Sequence, residues 1–192
     1  FALNYLTPKF HFMKKLFMSM LLVLVGIISI EAQDIVEKGQ TLATKSDVVK
    51  EFPTAKSVSK ISGGVYDVLG SGDESIGKIV LSSFYSSGIT GFAGPTPLMI
   101  SVNNNGTIKN VTLLANDETT NFVAKVRNAG LFSVWNGMKL KDAANKTVDA
   151  VTGATYTSTA VIRSMKAAAT NAVIPASSSS SKSAPVKKNK VG

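Results

Sequence analysis

Asp149-Ala150-Val151-Thr152-Gly153-Ala154-Thr155-Tyr156-Thr157-Ser158 sets four Ser/Thr hydroxyls around a Gly-Ala pair, directly ahead of an apolar helical pattern. Val161, Met165 and Ala169 recur four residues apart with Ile162 and Ala172 beside them, which predicts a helix ending near Asn171 or Val173. Thr157 or Ser158 is its expected N-cap, since a hydroxyl there accepts from an orphan amide of the first turn. Gly153 permits a turn or a close backbone approach that a Cβ would block, and Ala154 adds only a methyl beside Thr155. Hydroxyls gathered at a helix start suit an anion, because free N–H groups and the positive dipole end point outward there. A plain capped helix accounts for Thr157 and Ser158 equally well. It does not account for Asp149 at this spacing from Thr152-Gly153-Ala154-Thr155.

Working outward, 192 residues fit one domain with flanking segments and can bury a core without staples. With no cysteine, disulfides, cysteine-ligated metal and thiol chemistry are excluded. The only histidine, His11, lies ahead of the body, so triads that depend on histidine are excluded there as well. The net charge of +9 is unevenly spread: residues 1–32 carry +2, residues 175–192 carry +4, and the body is left with +3. Only Arg127 and Arg163 are arginines, and no clustered basic stripe is present, so nucleic acid is not an expected partner.

Met13-Lys14-Lys15 followed by fifteen almost wholly apolar residues, Leu16 to Ile30, reads as a signal peptide with Ala32 as the residue before cleavage. The run is shorter than the roughly 20 residues that span a bilayer, so an exported, soluble protein is expected, with an uncleaved membrane anchor as the alternative. Residues 1–32 are therefore assigned to an upstream extension and signal peptide, and 33–60 to an N-terminal helical segment. In the latter, Leu42, Val48, Val49 and Phe52 predict a short amphipathic helix stopped by Pro53. Residues 61–174 form the main domain. The tail, 175–192, is a Ser/Lys-rich stretch of low complexity, expected to be disordered.

Within the main domain, strands are predicted over Gly64 to Leu69 and Ile76 to Ser82, joined by Gly70-Ser71-Gly72-Asp73. Ser87-Gly88-Ile89-Thr90-Gly91-Phe92-Ala93-Gly94-Pro95 reads as a loop, since it has neither the P-loop ending nor the dinucleotide order of glycines. Pro97 to Asn103 and Thr107 to Ala115 predict a strand pair across an Asn105-Gly106 turn. In the second strand the apolar alternation is imperfect. A helix over about Thr120 to Asn128 follows, with Asp117 or Thr119 as its cap. Leu131, Phe132, Val134 and Trp135 read as core. These elements predict an α+β fold, a small antiparallel sheet flanked by helices in a single domain.

The motif Asp149-x-x-Thr152-Gly153-Ala154-Thr155 resembles the flavinylation motif of the FMN-binding domain family, which includes periplasmic flavin subunits of sodium-pumping NADH:quinone reductases and of Rnf complexes. The likeness runs from about Gly64 to Ala169. It takes in Gly91-Phe92-Ala93-Gly94, the hairpin at Asn105-Gly106, and the Glu118-Thr119 pair that the family sets beside the flavin. Thr120-Asn121 stand where the family has Pro-Gly. The resemblance implies covalent FMN on the Thr155 hydroxyl, installed by a flavin transferase that uses FAD. It also implies that Asp149, Thr152, Gly153, Ala154, Thr157, Glu118, Thr119, Gly91 and Gly94 surround the cofactor. An electron-transfer carrier, exported to the periplasm or cell surface and served by a membrane or periplasmic donor and acceptor, is the expected function. Non-covalent FMN binding with Thr155 as a phosphate contact, or an exported binding module without redox activity, are the alternatives. Lys125, Arg127 and Lys139 are candidate charges for reduced flavin or for partners, with a solvated surface role as the simpler reading.

Overall fold

The chain enters the described region, residues 33–175 of a computed structural model, through a hairpin of β1 (Ile35–Glu37) and β2 (Gln40–Ala43). Helix α1 (Lys45–Glu51) follows, and then five strands: β3 (Ser57–Ser62), β4 (Val65–Leu69), β5 (Ser75–Leu81), β6 (Leu98–Val102) and β7 (Ile108–Leu113). These five form one sheet in sequence order, each antiparallel to the next. Helices α2 (Thr120–Asn128), α3 (Leu140–Ala143) and α4 (Thr155–Asn171) come after the sheet; 3-10 turns lie at Ser82–Phe84, between β5 and β6, and at Leu131–Ser133, between α2 and α3. The architecture is the α+β arrangement expected, a small antiparallel sheet flanked by helices. Among the described residues no helix is long and apolar enough to cross a membrane. The expected signal peptide and all of the tail beyond Pro175 lie outside the described residues.

The sheet is covered on both faces, so its central strands read as continuous apolar runs. On one face Val65, Val80, Leu98, Ile100 and Val102 pack with Leu131, Trp135, Leu140, Val161 and Met165 from the helical layer. On the other, Tyr66, Val68, Ile79, Leu81 and Met99 pack with Ile35, Ala43, Val48 and Phe52 from the hairpin and α1. Trp135 is 1% exposed, and its burial contributes on the order of several kcal/mol at 25 cal/mol per Å². The imperfect alternation in β7 has a local cause. Val102 pairs with Ile108 while Ser101 pairs with Asn110, so Lys109 is the extra residue of a bulge. The bulge turns Ile108 and Val111 to the same core despite their odd spacing. It also frees Lys109 to reach the carbonyl of Glu51 and the ring of Phe52, pinning α1 to the sheet.

Three expectations need correction. The segment 33–60 is not simply helical: it holds a hairpin and the first residues of β3 around a helix that begins at Lys45, three residues later than Leu42. Thr44 sets that start through a capping box, accepting from the Asp47 amide (3.2 Å) while its own amide donates to the Asp47 carboxylate (2.9 Å). Lys38 and Gly39, both at positive φ, close the hairpin ahead of it. The second correction is at α4, which starts at Thr155 with Ala154 as N-cap, so Thr157 and Ser158 lie inside the first turn. The third is at α2, where Thr119 occupies the N-cap position but its side chain makes no capping bond.

Candidate functional site

The connection from β5 to β6, residues 82–97, carries the glycine loop to the end of the sheet where α4 begins. Thr90 and Pro95 form an isolated bridge, and the Gly91 amide donates to the Gly94 carbonyl (2.7 Å), so the loop is a closed tight turn. The amides of Ala93 and Gly94 point to one oxygen of Glu118, at 2.8 and 3.1 Å. The other oxygen of Glu118 accepts from the Thr157 hydroxyl, and both side chains are buried. Asn116 prepares this placement: its carboxamide accepts from the Glu118 amide (3.0 Å) and donates to the Leu114 carbonyl (2.7 Å). Glu118 therefore joins the glycine loop, the loop before α2 and the first turn of α4.

This explains the glycine at 91 but not the one at 94. A Cβ on Gly91 would lie 2.5 Å from a Glu118 oxygen, whereas on Gly94 it would meet only Asp117 at 3.8 Å. The Glu118 carboxylate is turned inward onto protein donors. In the motif, Gly153 adopts φ +74, the left-handed conformation that glycine reaches without strain. Ala154 is 4% exposed and its methyl belongs to the helical core rather than leaving open space. Ser158 braces the turn: its hydroxyl accepts from the Val151 amide (2.9 Å) and lies 2.9 Å from the Ala154 carbonyl, to which it donates.

Of the Ser and Thr side chains in the first turn of α4, Thr155 is the exposed one; Thr157 and Ser158 are spent on internal bonds. Its neighbours Gly153, Ala154, Tyr156 and Thr157 line a cleft of about 280 Å³ with Phe92 and Phe122. Phe92 and Phe122 meet edge to face, with centroids 5.0 Å apart. Phe92 is 60% and Tyr156 73% exposed, an unusual display of aromatic surface on both sides of one cleft. Helix geometry leaves the amides of Thr155, Tyr156 and Thr157 with no acceptor one turn back. Lys125 of α2 extends across to the same turn, its Nζ 3.4 Å from the Gly153 carbonyl.

Thus Gly91, Gly94, Glu118 and Thr157 are brought together by hydrogen bonds, and Gly153, Ala154, Thr155 and Thr157 by the cleft. Asp149, Thr152 and Thr119 are exposed and do not line it. Phe92 and Lys125 gained their places from tertiary packing; the Ser158 brace follows from its spacing behind the motif. A larger cleft, about 430 Å³ between β2 and the loops at 83–90 and 115–117, shares no lining residue with this one.

The family model for the FMN-binding domain matches residues 91–170, from the glycine loop almost to the end of α4. Residues 91–170 belong to the FMN-binding domain family. The domain is a flavin-binding one, and FMN is its cofactor. The matched stretch holds β6, β7 and α2 to α4, and with them every residue of the cleft, while the hairpin, α1 and β3 to β5 lie ahead of it. No match to the chain was found among curated proteins. The residues present suit FMN: an exposed threonine, open helix amides and a lysine for phosphate, and exposed aromatic rings for a flat ring system.

Proposed function

We propose that the protein is an exported electron-transfer flavoprotein carrying FMN covalently through a phosphoester on Thr155. The observation that carries this is the exposed Thr155 at the mouth of an aromatic cleft, followed in the same turn by Thr157 and Ser158, whose hydroxyls are turned inward. Attachment would join Thr155 Oγ to the FMN phosphorus of FAD; AMP leaves from the broken pyrophosphate bond and the hydroxyl proton passes to solvent. A FAD-dependent flavin transferase is the partner for that step. Its access fits the exposure of Thr155 and of the Asp149 and Thr152 side chains ahead of it.

FMN supplies one- and two-electron chemistry when bound, and the chain supplies its place. Thr155 fixes one end, so that a compartment with little free flavin does not strip the cofactor. Phe92, Phe122 and Tyr156 offer apolar surface for the ring, and Glu118 holds the loop bearing Phe92 against α4. The signal-like run at Leu16 to Ile30 supports export to the periplasm or cell surface, with a membrane or periplasmic donor and acceptor. The test is to produce the mature chain with and without a flavin transferase and measure intact mass and in-gel flavin fluorescence. One FMN less one water is expected on the wild-type chain and not on Thr155→Val. An unmodified chain beside an active transferase overturns covalent attachment; retained FMN affinity in that chain would then favour Thr155 as a phosphate contact.

A further inference from the structure

We propose that Lys125 is the phosphate counter-charge of this site and makes the domain select phosphorylated flavin over riboflavin; the inference rests on the FMN reading above. Lys125 sits 28 residues from Gly153 in sequence, yet its Nζ lies 3.4 Å from the Gly153 carbonyl, two residues before the Thr155 hydroxyl. The approach is built into the turn. A Cβ on residue 153 would stand 3.1 Å from Nζ and also meet the last two carbons of the chain, so glycine there admits the lysine as well as the positive φ. Among the described residues no acid forms an ion pair with this ammonium, as Glu37 does with Lys60 and Asp67 with Lys78.

A lysine held by one long carbonyl contact keeps donors to spare. An ammonium has three, and a phosphoryl oxygen on Thr155 or beside it would take them in preference to a neutral carbonyl. The first-turn amides and the helix dipole add to the same field. The flavin ring carries no comparable charge, so the effect of Lys125 falls on the phosphate end. The lysine is thereby distinguished from Arg127 and Lys139, for which no approach to the motif is seen; Lys139 instead donates to the Asn105 carbonyl at the other end of the sheet.

The experiment uses the full chain carrying Thr155→Val, which blocks attachment, alone and combined with Lys125→Met or Lys125→Arg. FMN and riboflavin affinities are measured by quenching of flavin fluorescence, at low and high salt. Lys125→Met is expected to weaken FMN by roughly threefold to tenfold, between an exposed ion pair and a charge-assisted hydrogen bond, and to leave riboflavin unchanged. Lys125→Arg restores most of the preference, and salt weakens FMN in the parent more than in Lys125→Met. A parent with no preference for FMN over riboflavin, or equal losses for both ligands in Lys125→Met, overturns the proposal. The intact-mass adduct on the wild-type chain separates the two failures: an adduct present with Lys125→Met without effect removes only the role of Lys125.

Discussion

Removing the Glu118 carboxylate should cost the domain a large share of its stability although no apolar contact is lost. Glu118→Ala leaves three donors without an acceptor: the Ala93 and Gly94 amides and the Thr157 hydroxyl. Thr157 is 1% exposed, so its hydroxyl pays the desolvation cost of an unmet buried group, about 1–3 kcal/mol. The two amides sit on an exposed and a half-buried residue and can rehydrate, which limits each to about 0.5–1.5 kcal/mol. Together these come to about 2–6 kcal/mol, against a typical domain stability of about 5–15 kcal/mol. Glu118→Gln keeps an oxygen for the amides and should cost about 1–2 kcal/mol, and Thr157→Val about the same. Urea unfolding followed by fluorescence of Trp135, the sole tryptophan and a fully buried one, reads all of these on the flavin-free chain. A double-mutant cycle between positions 118 and 157 should give a coupling of about 1–2 kcal/mol. Strict additivity, or a loss below about 1 kcal/mol in Glu118→Ala, would refute the hub.

Gly91→Ala should destabilise by about 1–3 kcal/mol, because its methyl would stand 2.5 Å from the Glu118 carboxylate, while Gly94→Ala should stay within about 0.5 kcal/mol; paired melting curves decide. At alkaline pH, burial first and then the hydrogen bond to Glu37 push the Tyr66 phenol up to about 12 from its ordinary 10.0. The folded state thus favours the neutral phenol, a contribution complete below pH 10 and lost as pH rises from 10 towards 12. Tyr66→Phe should show a shallower loss than wild type in that window. Burial raises Tyr85 too, and since that group remains in both proteins the difference between the two curves isolates Tyr66. Equal slopes would remove Tyr66 from the alkaline response.

The sequence by itself determined the features that rest on local pattern. The Asn105-Gly106 turn, the two strands around it, the strands before the glycine loop and the apolar face of α4 each follow from a period or a turn residue that acts over a few positions. The Asp149-to-Thr155 stretch is equally local, and its resemblance to the family's flavinylation motif is what makes Thr155 the proposed attachment point. Elements with little pattern of their own escaped it: β1 and β2 are three and four residues long, and β3 is exposed over most of its length. Tertiary structure alone decided what each hydroxyl of the motif does. The capping preference of Thr157 and Ser158 gave way because Thr157 meets Glu118 from 39 residues away and Ser158 holds the Val151 amide, which leaves the N-cap to Ala154. Glu118 became an internal anchor for the same reason: a buried carboxylate takes the donors that packing brings to it. Lys125 reached Gly153 only because α2 and α4 lie side by side, a neighbourhood set by burying Val126 and Val161 in one core. Periodicity says which face of a helix is buried; it does not say which distant residue will stand opposite.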